Sequence, residues 1–156
     1  MPGTAATSRP PVEAGSVGSM KVAFGTDEHT PLTEAVVAKL RADGHEVVVV
    51  ADGIDWPEAG RAVGEAVATG RADRGVVACT TGTGVSIAAN KVPGVRAALC
   101  TDGWTAAGAR RWNDANVLAL GLRLTTEALA IEMVDAFLDT AFDPAEAGMV
   151  EKVESG

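Results

Sequence analysis

The stretch Cys79-Thr80-Thr81-Gly82-Thr83-Gly84-Val85-Ser86 sets a thiol directly before a run of hydroxyls and glycines. A cysteine in that position can serve as a thiolate base or nucleophile, tuned by the helix N-terminus behind it. The glycines let backbone N–H groups approach an anion closely, and the first turn of a helix offers unpaired donors. The pattern is not a P-loop, because no Lys-Ser/Thr follows the second glycine, and the spacing does not fit the dinucleotide fingerprint. A small core role for Cys79 and a simple tight turn stay open on these residues alone. A second polar cluster, Thr26-Asp27-Glu28-His29-Thr30, follows the first apolar run. Asp27 or Thr30 could cap a helix, but capping accounts for one such residue and not for the cluster.

These residues need elements to hold them. Lys21 to Thr26 reads as a first strand, followed by a helical stripe at Leu32, Val36, Val37 and Leu40 that Gly44 closes. His45 to Asp52 is a continuous apolar run, as expected for a strand covered on both faces. Asp55-Trp56-Pro57 opens a second helix with its stripe at Ala59, Val63, Ala66 and Val67, ending at Gly70. Arg74 to Thr81 is the third strand, and the sequence then alternates helix and strand to a fifth strand over Asn116 to Gly121. A last helix follows, capped by Thr125 or Thr126. This alternation predicts an α/β fold, a Rossmann-like three-layer α/β/α sandwich on a five-stranded parallel sheet. Ligands of such sheets bind at the carboxyl ends of the strands, so both polar clusters fall at the expected edge.

The expected organisation is a flexible tail over 1–20, an α/β domain over 21–141 and a C-terminal segment over 142–156 that is a turn and a frayed helix. The tail lacks the apolar core of a secretory signal, and Met20 could be the natural start. A net charge of −8 argues against nucleic acid or an anionic membrane as partner. No apolar run reaches the length of a membrane span. Cys79 and Cys100 have no metal-ligand spacing and are expected as free thiols in a cytoplasmic protein. Lys91 reads as a helix C-terminal dipole partner, Cys100 as a core residue and His45 as an exposed loop residue. Trp104 and Trp112 stand eight residues apart, which on a helix puts them roughly 80° apart around the axis.

The run Ser86 to Lys91 carries a resemblance when joined to Cys79, the Gly82-Thr83-Gly84 turn, Val92 to Cys100 and Asn113 to Gly121. Together with Asp55-Trp56-Pro57 and Gly70 to Gly75, these segments resemble the ribose-5-phosphate isomerase B family, which includes the galactose-6-phosphate isomerase subunits. The resemblance implies aldose–ketose isomerisation through an enediolate, without metal or cofactor. It implies Cys79 as base, the Thr81-Gly82-Thr83-Gly84 turn as anion hole, and Asp27 and Asn113 as sugar contacts. It also implies a homodimer or tetramer with the site at the dimer interface.

Three positions depart from the family pattern. Glu28 stands where the family has a phosphate-holding His, with His29 one place later, and Trp112 replaces the His that assists ring opening. Ala147 to Lys152 replaces a segment whose arginines grip phosphate. Exchanging cations for a carboxylate weakens the hold on a phosphate dianion. The expected activity is therefore isomerisation of an altered substrate, either an open-chain sugar phosphate or a non-phosphorylated sugar stacked on Trp112. Glu28, His29 and Thr83 join the expected substrate contacts. The alternative is a catalytically weak or inactive subunit that binds a sugar or pairs with another isomerase subunit.

Overall fold

The central strands are buried along nearly their whole length, with alternate residues on opposite faces, so helices must cover both faces of the sheet. In the computed structural model, which describes residues 18–156, five strands alternate with helices. The strands are β1 (Lys21–Thr26), β2 (Glu46–Asp52), β3 (Arg74–Cys79), β4 (Ala97–Leu99) and β5 (Val117–Gly121). The helices between and after them are α1 (Pro31–Ala42), α2 (Trp56–Ala68), α3 (Thr83–Asn90), α4 (Gly103–Asn113) and α5 (Glu127–Asp139). Most of the expected 1–20 tail lies outside the described residues.

Every strand pair is parallel, and the order is β2-β1-β3-β5-β4. The chain leaves β1 in one direction to form β2, then crosses back to place β3 on the other side. The order therefore reverses between β1 and β3, and their carboxyl ends lie side by side at a crevice. Val22, Phe24, Val76, Ala78, Leu118 and Leu120 pack with α1, α4 and α5. Alternate residues Ala23, Val77, Cys79, Val117 and Ala119 pack with α2 and α3. Leu118, Leu120 and Phe137 are fully buried; truncating any of them to Ala costs about 2–5 kcal/mol.

The helix termini follow their sequence signals. Thr30 and Thr33 form a capping box at α1, and the Thr126 hydroxyl accepts from the Leu129 amide at α5. Among the described residues, no helix is long and apolar enough to cross a membrane.

Three expectations change. β2 is not covered on both faces: it is the sheet edge, and Val49 remains 43% exposed. Its valine run reflects β propensity more than burial. The C-terminal segment has the expected turn, a 3-10 turn over Pro144–Glu146, but its helix is continuous, α6 (Ala147–Ser155). Glu154 of that helix meets Arg96 at 2.6 Å. His45 is only half-exposed, because its Nδ1 accepts from the Met20 amide at 3.1 Å.

Candidate functional site

β3 ends on Cys79, which is buried on the α2–α3 face. Directly after it the chain turns through Gly82, whose φ of 76° lies in the left-handed region. Only glycine fits there: a Cβ would stand 2.5 Å from Leu99 Cδ1 and 2.8 Å from the Leu120 carbonyl carbon. This turn brings the Gly82 amide back onto the sulfur, where it donates to Cys79 Sγ at 3.2 Å. The Thr81 and Thr83 hydroxyls are 2.7 Å apart. Gly82 is also the N-cap of α3 and brings no capping side chain. The first amides of α3 are thus left for a ligand beside the thiol.

The end of β1 is fixed to this turn's strand. The Asp27 amide donates to the Ala78 carbonyl at 3.2 Å, and the Gly53 amide donates to the Thr26 carbonyl. Thr26, fully buried, donates its hydroxyl to the Glu28 carbonyl at 2.7 Å and accepts from the Glu28 amide. Asp27 Oδ1 is buried without a hydrogen-bond partner. Burial, with the Glu28 charge adding, raises the Asp27 carboxyl above the usual carboxylate range. An unpartnered carboxyl oxygen beside the crevice is suited to a ligand hydroxyl.

His29 is placed differently from the sequence expectation. Its Nδ1 lies 2.8 Å from Asp52 Oδ1 and its Nε2 lies 2.7 Å from Glu34 Oε1. Both ring nitrogens are occupied, so the imidazole has no donor left for a substrate. Glu28 is exposed at the mouth of the crevice.

Trp112 and Asn113 stand at the other end of the sheet. They close α4, which runs back from the end of β4 to the start of β5. Within one chain they lie at the amino-terminal edge of the sheet, opposite Cys79. There they line a hollow of about 610 Å³ together with Val92, Arg96, Met149 and Val153. The Trp112 ring lies back over Gly108, where a Cβ would stand 2.6 Å from it. It meets Trp104 edge-on with centroids 5.5 Å apart, as their spacing predicts.

The cations divide sharply. Arg110 is buried and held by Asp114 at 2.8 Å, and Arg96 is held by Asp114 and Glu154. Arg123, which the sequence analysis passed over, lies at the site edge. Its amide donates to the Thr80 carbonyl at 3.0 Å, and it lines a hollow of about 300 Å³ with Thr80, Thr81 and Thr125. The signal for it was available: a cation two residues past the fifth strand falls at the ligand-binding edge of the sheet. Cys100 lines the same hollow, but burial and, less strongly, Asp102 push its thiol up to about 11. It therefore stays neutral and serves as a core residue, as expected.

The comparisons with known proteins agree with this geometry. The family model described as Ribose/Galactose Isomerase matches residues 22–154. Ribose-5-phosphate isomerase B of Escherichia coli is 40% identical over 129 residues, covering 79% of this chain and 86% of that protein. D-erythrulose-4-phosphate isomerase of Pectobacterium atrosepticum is 41% identical over 99 residues, covering 63% of this chain and 65% of that protein. The solved structure of Clostridium thermocellum ribose-5-phosphate isomerase B superposes with a TM-score of 0.81 at 41% identity, covering 87% of this chain and 96% of that one. The parallel sheet, the Cys79 turn at its switch point and these matches together establish that the chain belongs to the ribose/galactose isomerase family of sugar-phosphate isomerases.

Proposed function

We propose that this chain interconverts the aldose and ketose forms of a short, open-chain sugar phosphate, with Cys79 as the base. The observation that carries the proposal is the Gly82 amide on Cys79 Sγ with uncapped α3 amides beyond it. The Cys79 thiolate takes a proton from the carbon bearing the ketose's terminal hydroxyl. The electron pair of that C–H bond forms the enediol double bond, and the carbonyl oxygen becomes an oxyanion facing the turn 81–84. The thiol returns its proton to the neighbouring carbon, and one hydroxyl proton moves between the two oxygens. Atoms and electrons balance without a cofactor. Asp27 Oδ1, unpartnered and buried, accepts from a substrate hydroxyl and holds the chain in register.

The open-chain preference follows from Trp112. A ketotetrose esterified at O4 has no hydroxyl able to close a five-membered ring, so no group is needed to open one. One relative is a D-erythrulose-4-phosphate isomerase, which makes that substrate the first to test. Arg123 supplies the positive charge at the strand-end crevice, while exposed Glu28 disfavours a second close phosphate contact.

Cys79 and Asn113 lie at opposite edges of the sheet, so the complete site needs Asn113 from a second copy, and the working form is a dimer or a pair of dimers. The same separation favours a second arrangement, in which a paralogous subunit supplies that half. The reaction is tested by incubating the protein in D2O with D-erythrulose 4-phosphate, ribose 5-phosphate and galactose 6-phosphate. Deuterium entering the tetrulose phosphate at least tenfold faster than the others supports the proposal. No exchange and no aldose–ketose conversion with any of them, alone or mixed with a paralogue, overturns it.

A further inference from the structure

We propose that His29 is a positioning residue: as an imidazolium it fastens the Asp27–Glu28 turn to β2 and α1, and its deprotonation loosens that turn. The catalytic part of this inference rests on the isomerase proposal above; the structural part does not.

Nδ1 of His29 lies 2.8 and 3.0 Å from the two carboxylate oxygens of Asp52, at the end of β2. Nε2 lies 2.7 Å from Glu34 Oε1, in the first turn of α1. An ionised carboxylate only accepts, so both ring nitrogens must donate. A neutral imidazole has one N–H and would set a nitrogen lone pair against one of the two carboxylates. The arrangement is complete only with His29 protonated. One ring thereby joins two elements that flank the β1–α1 turn.

The turn has few other anchors. The Asp27 amide is tied to Ala78 and the Glu28 backbone to the Thr26 hydroxyl, while the chain is fixed again at the Thr30 capping box. Between these points His29 is the anchor through a side chain. The Asp27 carboxyl, with its Oδ1 unpartnered, therefore depends on the bridge for the last part of its placement. The charged groups around His29 are Asp52 from β2, Glu34 and Arg41 from α1, and Asp27 and Glu28 from its own turn. Its remaining neighbours in a hollow of about 280 Å³ include Phe24, Val37 and Val49.

Hydrogen bonds to Glu34 first and then Asp52 raise the His29 pKa above its ordinary value. A raised value means the bridge is fully present below about pH 6.5 and is lost as the pH rises through the folded-state value. The turn's order is therefore expected to decrease as the pH rises past the ordinary imidazole range.

The chain has only two histidines, so its ring resonances are readily followed by NMR. The His29 ring should titrate above that of an ordinary histidine, and the Asp27 and Glu28 amide shifts should move with the same midpoint. Asp52→Asn should lower the midpoint. In the deuterium-exchange assay with D-erythrulose 4-phosphate, His29→Gln should lower kcat/KM about tenfold, since small misplacements carry costs of that order. It should also flatten the alkaline limb of the pH profile, with little change in Tm. His29→Arg, charged throughout and able to donate to both carboxylates, should keep kcat/KM and extend it to higher pH. The inference is overturned if the ring titrates at or below the ordinary value, if the two amides do not follow it, or if His29→Gln retains the wild-type pH profile. If the folded wild type turns over nothing, the isomerase proposal fails, and the amide titration alone decides the positioning role.

Discussion

The Gly82 amide donates to the sulfur of Cys79 at 3.2 Å, across a turn of only three residues. The proposed base and the backbone proposed to bind the anion are thereby parts of one loop, and neither can shift without the other. The loop is held from outside by two amides of the segment after β5, with Leu122 donating to the Cys79 carbonyl and Arg123 to the Thr80 carbonyl. Gly82→Ala should therefore damage both stability and activity. The φ of 76° and the contacts with Leu99 and Leu120 leave no room for a methyl group. We expect a loss of about 1–3 kcal/mol in chemical denaturation. Deuterium exchange should fall at least a hundredfold, on the order expected when an oxyanion donor is displaced.

Asp27→Asn should separate stability from function. A carboxyl whose folded-state pKa is raised binds its proton more tightly in the folded chain, so its ionised form costs stability as pH rises. The amide removes that cost at neutral pH without changing shape. Tm should rise at pH 7, the gain should shrink as the wild-type carboxyl is protonated in acid, and kcat/KM should fall. A lower Tm at pH 7 would show that the buried oxygen is satisfied in solution.

Mixing two dead variants tests the shared site. Cys79→Ala lacks the proposed base, and Asn113→Ala lacks the contact proposed from the opposite edge of the sheet. If each working site draws on two copies, random reassociation makes half the dimers mixed, each with one intact site. An equimolar mixture should therefore recover about a quarter of wild-type exchange. Cys79→Ala alone should lose about 10²–10⁴-fold, as expected for removal of a proton-transfer group, while its circular dichroism is unchanged.

Trp112→His should widen the substrate range. The ring leans over Gly108 onto Trp104, so the exchange opens space and introduces a titratable group. Exchange with ribose 5-phosphate should rise severalfold, while that with D-erythrulose 4-phosphate changes little. Arg123→Ala should raise KM for both by about tenfold, through loss of a charge-assisted contact.

Much of this architecture was legible in the sequence because its signals are local. The turn after Cys79 announces itself through glycines, and α1 and α5 through their threonine caps. What was not legible depends on distant partners. His29 meets Asp52 across 23 residues, and no spacing rule couples a loop histidine to the end of an edge strand. The exposure of β2 depends on its place in the strand order, which its valine run does not encode. The continuity of α6 is not visible locally either, because its anchor, the Arg96–Glu154 ion pair, spans 58 residues.

The separation of Cys79 from Trp112 and Asn113 has a consequence for substrate choice. Within one chain Trp112 and Asn113 lie at the opposite edge of the sheet from Cys79, so changes there leave the fold around the thiol undisturbed. In the shared site proposed above the two ends meet only between copies. Substrate choice is then a property of the assembled pair, and a substitution that alters it is felt at the partner's thiol and not at its own.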